Sequence, residues 1–373
     1  MKKNKKQRIF LGPYEVAGYT RNLSTGFSQI GVKVSFIDLW DHPFNYGGND
    51  NGLLENCLRK CKKRYYKNTK KQLPLKLFYG ILNFLFTLLH FFKAVFLYDT
   101  FIFIFGYSLL PDNIDLPVLK ILNKKVISNI AMGSEARPPY LNGVYQSRTD
   151  ASGFNSGALA SMTRKVKKSV SKIEKWSDIV IGSPFSTSQF TQKEFVNTFA
   201  LGFPRINIKS AGKAEEREVC RILHSPSNPE AKGTALIVEA VKALKLKGYK
   251  IEFILLQNKT NSEVLSELEN CDFVVDQLYS DTPLGGFACE AASFGKPAVV
   301  GGYTLEEFGK FIEPSMMPPS QYCHPGDLQE KMEQMIKNKD MRLSAGLASL
   351  SFVQEQWSAA SVAKRYLPIL SGR

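Results

Sequence analysis

The chain has 373 residues, 44% of them hydrophobic and 22% charged, with 27 Gly and 18 Pro. This is too apolar for a disordered chain, and at roughly 100–200 residues per domain it suffices for two packed domains. The net charge of +15 leaves three partner classes open: nucleic acid, a membrane surface or a phosphorylated ligand.

The charge is unevenly spread. Residues 1–200 hold 29 Lys and Arg against 13 Asp and Glu, while residues 201–373 hold 20 against 21. Residues 1–72 alone carry 15 cations against 5 acids. A basic half joined to a neutral half predicts two jobs on two domains. The six Cys (57, 61, 220, 271, 289, 323) form no CxxC pair, which argues against a disulfide framework and for a reducing cytoplasm. The four His (42, 90, 224, 324) form no ligand set of the HExxH kind, so no metal site is expected. The lysines at positions 2, 3, 5 and 6 precede an apolar stretch that Pro13 and Glu15 break, so the amino terminus does not read as a signal peptide.

In chain order, residues 8–12 read as a first buried strand, followed by a glycine-containing loop from Gly12 to Gly18. A helix follows at 20–30, stopped by Gly31, and a second strand at 32–39. Residues 40–52 are rich in turn formers. Residues 53–72 read as a helix with eight cations: Arg59, Lys60, Lys62, Lys63, Arg64, Lys67, Lys70 and Lys71. Residues 77–92 contain no charged side chain. Sixteen residues are short for a span, which needs about 20. Three readings stay open: a buried core helix, a segment lying in a bilayer interface beside the basic helix, or, least favoured by its length, a true span.

Continuous apolar character makes 100–105 a strand covered on both faces. Then come a helix at 116–123, a strand at 125–130, and the turn Gly133-Ser134-Glu135-Ala136-Arg137. Residues 141–160 read as a mobile polar loop, 161–175 as a long amphipathic helix, 178–181 as a strand and 184–195 as a short helix. Polar residues 207–217 read as an interdomain linker. A second series begins with a strand at 218–223, a helix at 234–248 and a strand at 251–256. It continues with a helix at 261–269, strands at 273–275 and 298–300 around a helix at 286–294, and a mostly helical tail at 324–370. Two successive α/β series predict two Rossmann-like domains facing a cleft.

The stretch 222–300 carries the chemistry. Gly285-Gly286 directly precedes a helix, whose free N–H groups and dipole make an anion site. Glu290, four residues in, suits a bidentate hydrogen bond to two adjacent hydroxyls such as those of a ribose. Lys232, at the start of a facing helix, can reach a phosphate as a point charge. Each feature alone is also compatible with a tight turn, a solvated helix residue and a surface cation; their order and βα context favour the site.

The text HSPSN…KGT…IVEAVKAL, then DFVVDQL, then GGFACEAASFGKPAVV resembles retaining glycosyltransferase family 4, of the two-domain GT-B fold. The amino-terminal half is similar through FLGPYEVAGYTRNLSTGF and NIAMGSEAR, and WSAASVAKRYLPIL looks like the family's terminal helix, which crosses back to the first domain. The resemblance implies an acceptor-side domain at 1–205, a donor domain at 206–350 and a returning helix at 351–373; the basic and apolar residues of the first domain add a membrane-proximal segment at 53–98. It implies a nucleotide-diphosphate sugar as donor substrate, no other cofactor, and no bound metal. Carried over, Glu290 is the ribose ligand, Lys232 the pyrophosphate lysine, Gly285, Gly286 and Phe287 the backbone near sugar and diphosphate, and Gly18 or Gly12 the first-domain loop approaching the phosphates.

The first Glu of the family's E-x7-E falls on Thr282, with Asp281 beside it, and Met132 stands where relatives carry the His of an HG turn. The basic residue that usually precedes the KG pair has no match; His224 and Asn228 occupy that loop. Asp281 is the candidate to substitute for the first Glu of E-x7-E through a shifted loop, which makes it the third catalytic candidate; those to take the acceptor proton are His42 and Glu135, with Glu135 and Arg137 pairing or lining the acceptor cleft.

The leading expectation is therefore a membrane-surface glycosyltransferase. It would extend a lipid-linked or oligosaccharide acceptor in capsule or O-antigen assembly, at the cytoplasmic face of an anionic membrane. A nucleotide-sugar epimerase on the same fold and a degenerate membrane-bound assembly partner are the alternatives. Nucleic-acid binding rests on charge alone, without a recognised motif, and is not expected.

Overall fold

In the computed structural model, residues 8–39, 52–67, 72–146, 156–209 and 218–371 are described. They form two parallel sheets, each flanked by helices. The first series is β1 (Ile9–Gly12), α1 (Tyr19–Gln29), β2 (Val34–Phe36), α2 (Leu53–Lys67), α3 (Leu73–Leu97), β3 (Thr100–Ile104), α4 (Leu116–Ile121) and β4 (Lys125–Asn129). It continues with α5 (Gly143–Gln146), α6 (Ser156–Trp176), β5 (Ile179–Gly182), β6 (Val196–Asn197) and α7 (Thr198–Leu201). The strand order is β2-β1-β3-β4-β5-β6. All five residues of β3 are buried, as a central strand covered on both faces requires.

The second series is β7 (Cys220–His224), α8 (Pro229–Lys232), α9 (Thr234–Leu246), β8 (Ile251–Leu255), α10 (Asn261–Asn270), β9 (Phe273–Val275), α11 (Gly286–Ser293) and β10 (Ala298–Gly301). Then follow α12 (Phe308–Phe311), β11 (Gln321–Cys323), α13 (Leu328–Lys337), α14 (Lys339–Glu355) and α15 (Ala359–Ser371). Its strand order is β11-β10-β9-β7-β8. In each sheet the order reverses beside the first strand, between β1 and β3 and between β7 and β9. Loops leaving such neighbours diverge and open a crevice at the carboxyl ends of the strands.

The last helix returns to the first sheet. Tyr366 is fully buried against Phe27, and its hydroxyl lies 2.9 Å from that of Tyr19. Gly26 permits the approach: a Cβ there would lie 2.0 Å from the carbonyl oxygen of Ala359. The chain thus crosses between the sheets twice, at Arg205 and at Ser358, and the crossings form a parallel bridge. Arg205 N–H donates to the Trp357 carbonyl at 2.7 Å and Ala359 N–H to the Arg205 carbonyl at 2.9 Å.

Several expectations change. The helix expected at 184–195 is one short turn at Thr187–Gln189. Thr187 Oγ1 accepts from Ser183 N–H and donates to the Ile130 carbonyl, so its hydroxyl serves the loop. The polar loop expected at 141–160 contains α5 and the first turn of α6, while 147–155 lie outside the described residues. The second strand shortens to three residues. The uncharged stretch 77–92 is the middle of the 25-residue α3. Its core-helix reading does not hold: His90, Phe91, Ala94 and Val95 are buried, whereas eleven large apolar side chains of α3 are exposed.

Candidate functional site

The crevice beside β7 and β9 opens into a cavity of about 320 Å³ between the two sheets. Its second-sheet wall comes from three strand ends and one helix. Ser225 and Ser227 follow β7, Asn258 follows β8, Asp276 follows β9, and Gly286, Phe287 and Glu290 lie on α11. Val16, Ala17 and Met132 close it from the first sheet. The two walls touch: a Cβ on Gly286 would lie 3.4 Å from that of Ala17.

Lys232 ends α8, one residue before the left-handed Gly233 that starts α9. It therefore sits at the junction of two helices, where the sequence suggested a helix start. Its ammonium lies 3.4 Å from Asp276 Oδ1 and donates to Gln277 Oε1. Asp276 is 1% exposed and its Oδ2 has no hydrogen-bond partner, so Lys232 neutralises a buried carboxylate at the edge of the cavity. Gly285 caps α11 without a side-chain bond. A Cβ there would meet Asp276 Oδ2 at 2.7 Å, so the residue must be glycine for α11 to start beside Asp276. The first N–H groups of α11 and the Lys232 ammonium consequently border one cavity, a positive pole built from backbone and side chain.

Glu290 is 6% exposed, and its Oε1 accepts from Asn261 Nδ2 at 2.9 Å. Burial raises its pKa, with Arg205 and the Asn261 bond opposing the rise. A carboxylate held this way retains acceptor capacity toward the cavity. Glu290 and Asn261 also line a second cavity of about 140 Å³ that reaches Gly18 and Arg205. Gly18 has φ 78° and caps α1. It is therefore placed behind Glu290, while Val16 and Ala17 meet the larger cavity. Gly12 serves the fold instead, since a Cβ on it would lie 2.2 Å from the Ile37 carbonyl oxygen.

A third cavity, about 100 Å³, lies on the other side of the Gly285-Gly286 turn and contains Met132, Arg137, Asp281, Thr282 and Trp357 in its lining. Arg137 does not pair with Glu135. It crosses between the sheets to Asp281, Nε to Oδ2 at 2.9 Å and Nη2 to Oδ1 at 2.5 Å. Both Asp281 oxygens thus engage the guanidinium. Glu135 turns back on its own loop: Oε1 accepts from Met132 N–H at 2.6 Å, and Oε2 is buried without a partner. Burial pushes its pKa up to about 7. Glu135 lines none of the three cavities. His42 lies outside the described residues.

His224 does not face the cavity. It is fully buried at the end of β7, with Nδ1 2.7 Å from the Val275 carbonyl and Nε2 2.9 Å from Thr234 Oγ1. Burial lowers its pKa to about 4, which keeps the ring neutral. Asn228 caps α8 by accepting from Ala231 N–H. Asn261 and Asp276 also line the larger cavity and are absent from the residues the sequence singles out. Both had a signal: Asn261 lies within the Thr260-x-x-Glu263 capping box that starts α10, and Asp276 is the first polar residue after the buried β9.

The sequence matches no protein-family model and no curated protein. The fold matches solved structures. Anabaena HepE in complex with UDP is similar over 98% of this chain and 100% of its own, at TM-score 0.51 and 12% identity. HepE holding UDP-glucose matches with the same coverage and identity at TM-score 0.50. TarM of S. aureus is similar over 77% of this chain at TM-score 0.53 and 15% identity, and the match spans 58% of the TarM chain. The chain has the two-domain GT-B fold.

Proposed function

We propose that the protein is a glycosyltransferase that takes its sugar from a nucleoside-diphosphate donor. One observation carries this reading: a single cavity at the strand-order reversal is bordered by Lys232, the amino end of α11 and the buried carboxylate of Glu290. Those groups suit a diphosphate and a vicinal diol, the two recognition features of a nucleoside diphosphate. HepE, whose structures hold UDP and UDP-glucose, supports the reading.

In this reading the diphosphate replaces Asp276 and Gln277 as the partner of Lys232, and the ribose hydroxyls donate to Glu290. The bond from the sugar's anomeric carbon to the β-phosphate oxygen breaks, the bond to the acceptor oxygen forms, and the acceptor's hydroxyl proton passes to the departing phosphate oxygen. Negative charge develops on the leaving diphosphate. Lys232 and the α11 N–H groups are already oriented to receive it, so the barrier falls without reorganisation of water. Transfer with retention at the anomeric carbon, a lipid-linked glycan as acceptor and a role in capsule or O-antigen assembly belong to the same proposal. They rest on the resemblance to family 4.

The test is incubation with a panel of labelled nucleotide sugars and a polyprenyl-diphosphate glycan. Transfer of label to the glycan from one donor is the expected outcome. Absence of transfer across the panel would sink the reading, and a new sugar epimer formed without acceptor would replace it with epimerisation.

A further inference from the structure

We infer that the α2–α3 hairpin docks on an anionic lipid bilayer, with α3 lying in the plane of the interface. The inference stands on this surface alone and does not depend on the donor reading. Phe78, Ile81, Leu85, Leu89, Phe92 and Phe96 recur at steps of three and four, so they share one face of α3. All six are exposed, from 48% at Leu85 to 76% at Phe96. A contiguous apolar stripe along a helix of 25 residues is far more than scattered surface leucines.

Charge selects the occupant. Lys60, Lys63, Arg64 and Lys67 are exposed on α2, and Lys93 on α3. Arg64 donates to the Tyr79 hydroxyl at 2.7 Å, which ties the cationic end of α2 to the residue next to Phe78. Among the described residues from 52 to 97 the single acid is Glu55. It is 3% exposed and held by Lys93 at 2.8 Å. A face with apolar side chains, flanking cations, amphipathic Tyr65, Tyr66 and Tyr79 and no exposed acid matches acyl chains beneath phosphate headgroups.

Packing selects the orientation. At about 37 Å, α3 is long enough to cross a bilayer. Its opposite face is committed, however. Phe91, Ala94 and Val95 pack with Phe10, Phe101 and Phe103 in the first core, and Tyr98 and Asp99 alone separate α3 from the central strand β3. Crossing would pull that face out of the core. Lying in the plane satisfies both faces.

The experiment is co-sedimentation of the full chain with vesicles of phosphatidylcholine alone or with 30% (about one third) phosphatidylglycerol. Binding to the anionic vesicles that salt weakens is expected. The triple variant Ile81→Asp, Leu85→Asp, Leu89→Asp should lose at least about tenfold in partitioning, with its thermal melting retained as the check on folding. Lys60→Gln, Lys63→Gln, Lys67→Gln should lose on the order of a hundredfold of the anionic preference.

Two single variants, Phe78→Trp and Phe96→Trp, read the orientation through quenching by brominated lipids. Equal depths are expected in the plane, whereas a spanning helix would separate them by about 27 Å. No vesicle binding, unequal depths, or a stripe-dependent dimer in sedimentation velocity without lipid would each overturn the inference.

Discussion

Replacing Lys232 separates two roles that share one ammonium. Its Nζ lies 3.4 Å from Asp276 Oδ1. At an effective dielectric of about 20 that separation corresponds to about 5 kcal/mol of attraction. The Lys232 side chain is 22% exposed, which screens part of it, but Asp276 at 1% has no comparable access to water. Lys232→Ala therefore leaves a buried carboxylate uncompensated, at a cost of about 3 kcal/mol. For a domain of this size that lowers the melting temperature by about 6–12 °C.

The second role, in the proposed function, is the diphosphate contact. A hydrogen bond to a charged group contributes about 1.5–3 kcal/mol, or roughly 10- to 150-fold in Kd. The assay is calorimetric titration with UDP, beside thermal melting, for Lys232→Ala, Asp276→Asn and the double variant. The double variant removes the stranded charge, so it should recover most of the melting temperature lost in Lys232→Ala. It should still bind UDP at least tenfold more weakly than Asp276→Asn. Equal affinity in those two would refute the phosphate role and leave Lys232 as the counter-ion of Asp276.

Glu290→Ala should weaken UDP at least tenfold while affecting 2′,3′-dideoxy-UDP far less, which titration of both ligands checks. Arg137→Met strands Asp281 and removes a two-point bond between the domains; small-angle scattering should show a larger radius of gyration, and Arg137→Met/Asp281→Leu should reverse part of it. Gly285→Ala forces a Cβ to 2.7 Å from Asp276 Oδ2 and should depress both melting temperature and UDP affinity. His224 has a folded pKa of about 4 against an ordinary 6.5, so its contribution is complete above pH 6.5 and is lost as pH falls toward 4. That amounts to about 3 kcal/mol, and denaturant unfolding of His224→Gln should show a correspondingly smaller decline from pH 7.5 to 4.5 than the native chain.

The sheets were legible because buried strands are short uncharged runs, as in Phe101–Ile104 and Phe273–Val275. That Lys232 and Glu290 border one cavity was legible because each sits at a helix junction or on the helix after a strand, where βα geometry restricts its direction. Side-chain partners across the cleft were not legible. Nothing near Arg137 in sequence points to Asp281, 144 positions on; within four residues Glu135 is the natural guess, and the choice is made by how the two sheets approach. Helix α3 shows a different limit. Its lack of charge was visible, but a buried stripe and an exposed one use the same side chains, so only the packing of Phe91 and Val95 distinguishes the faces. The failure at 184–195 has a local cause: Ser183 and Thr187 bond the loop backbone and outcompete a helix.

The paired crossings at Arg205 and Ser358 also limit how the cleft can move. Two strands of chain joined side by side by main-chain hydrogen bonds permit rotation about a line through both and resist sliding or twisting of one half past the other. Opening becomes a swing with one dominant degree of freedom. A swing about that line would part Ala17 from Gly286 and Arg137 from Asp281 in the same stroke, so the loop contact and the ion pair would open together.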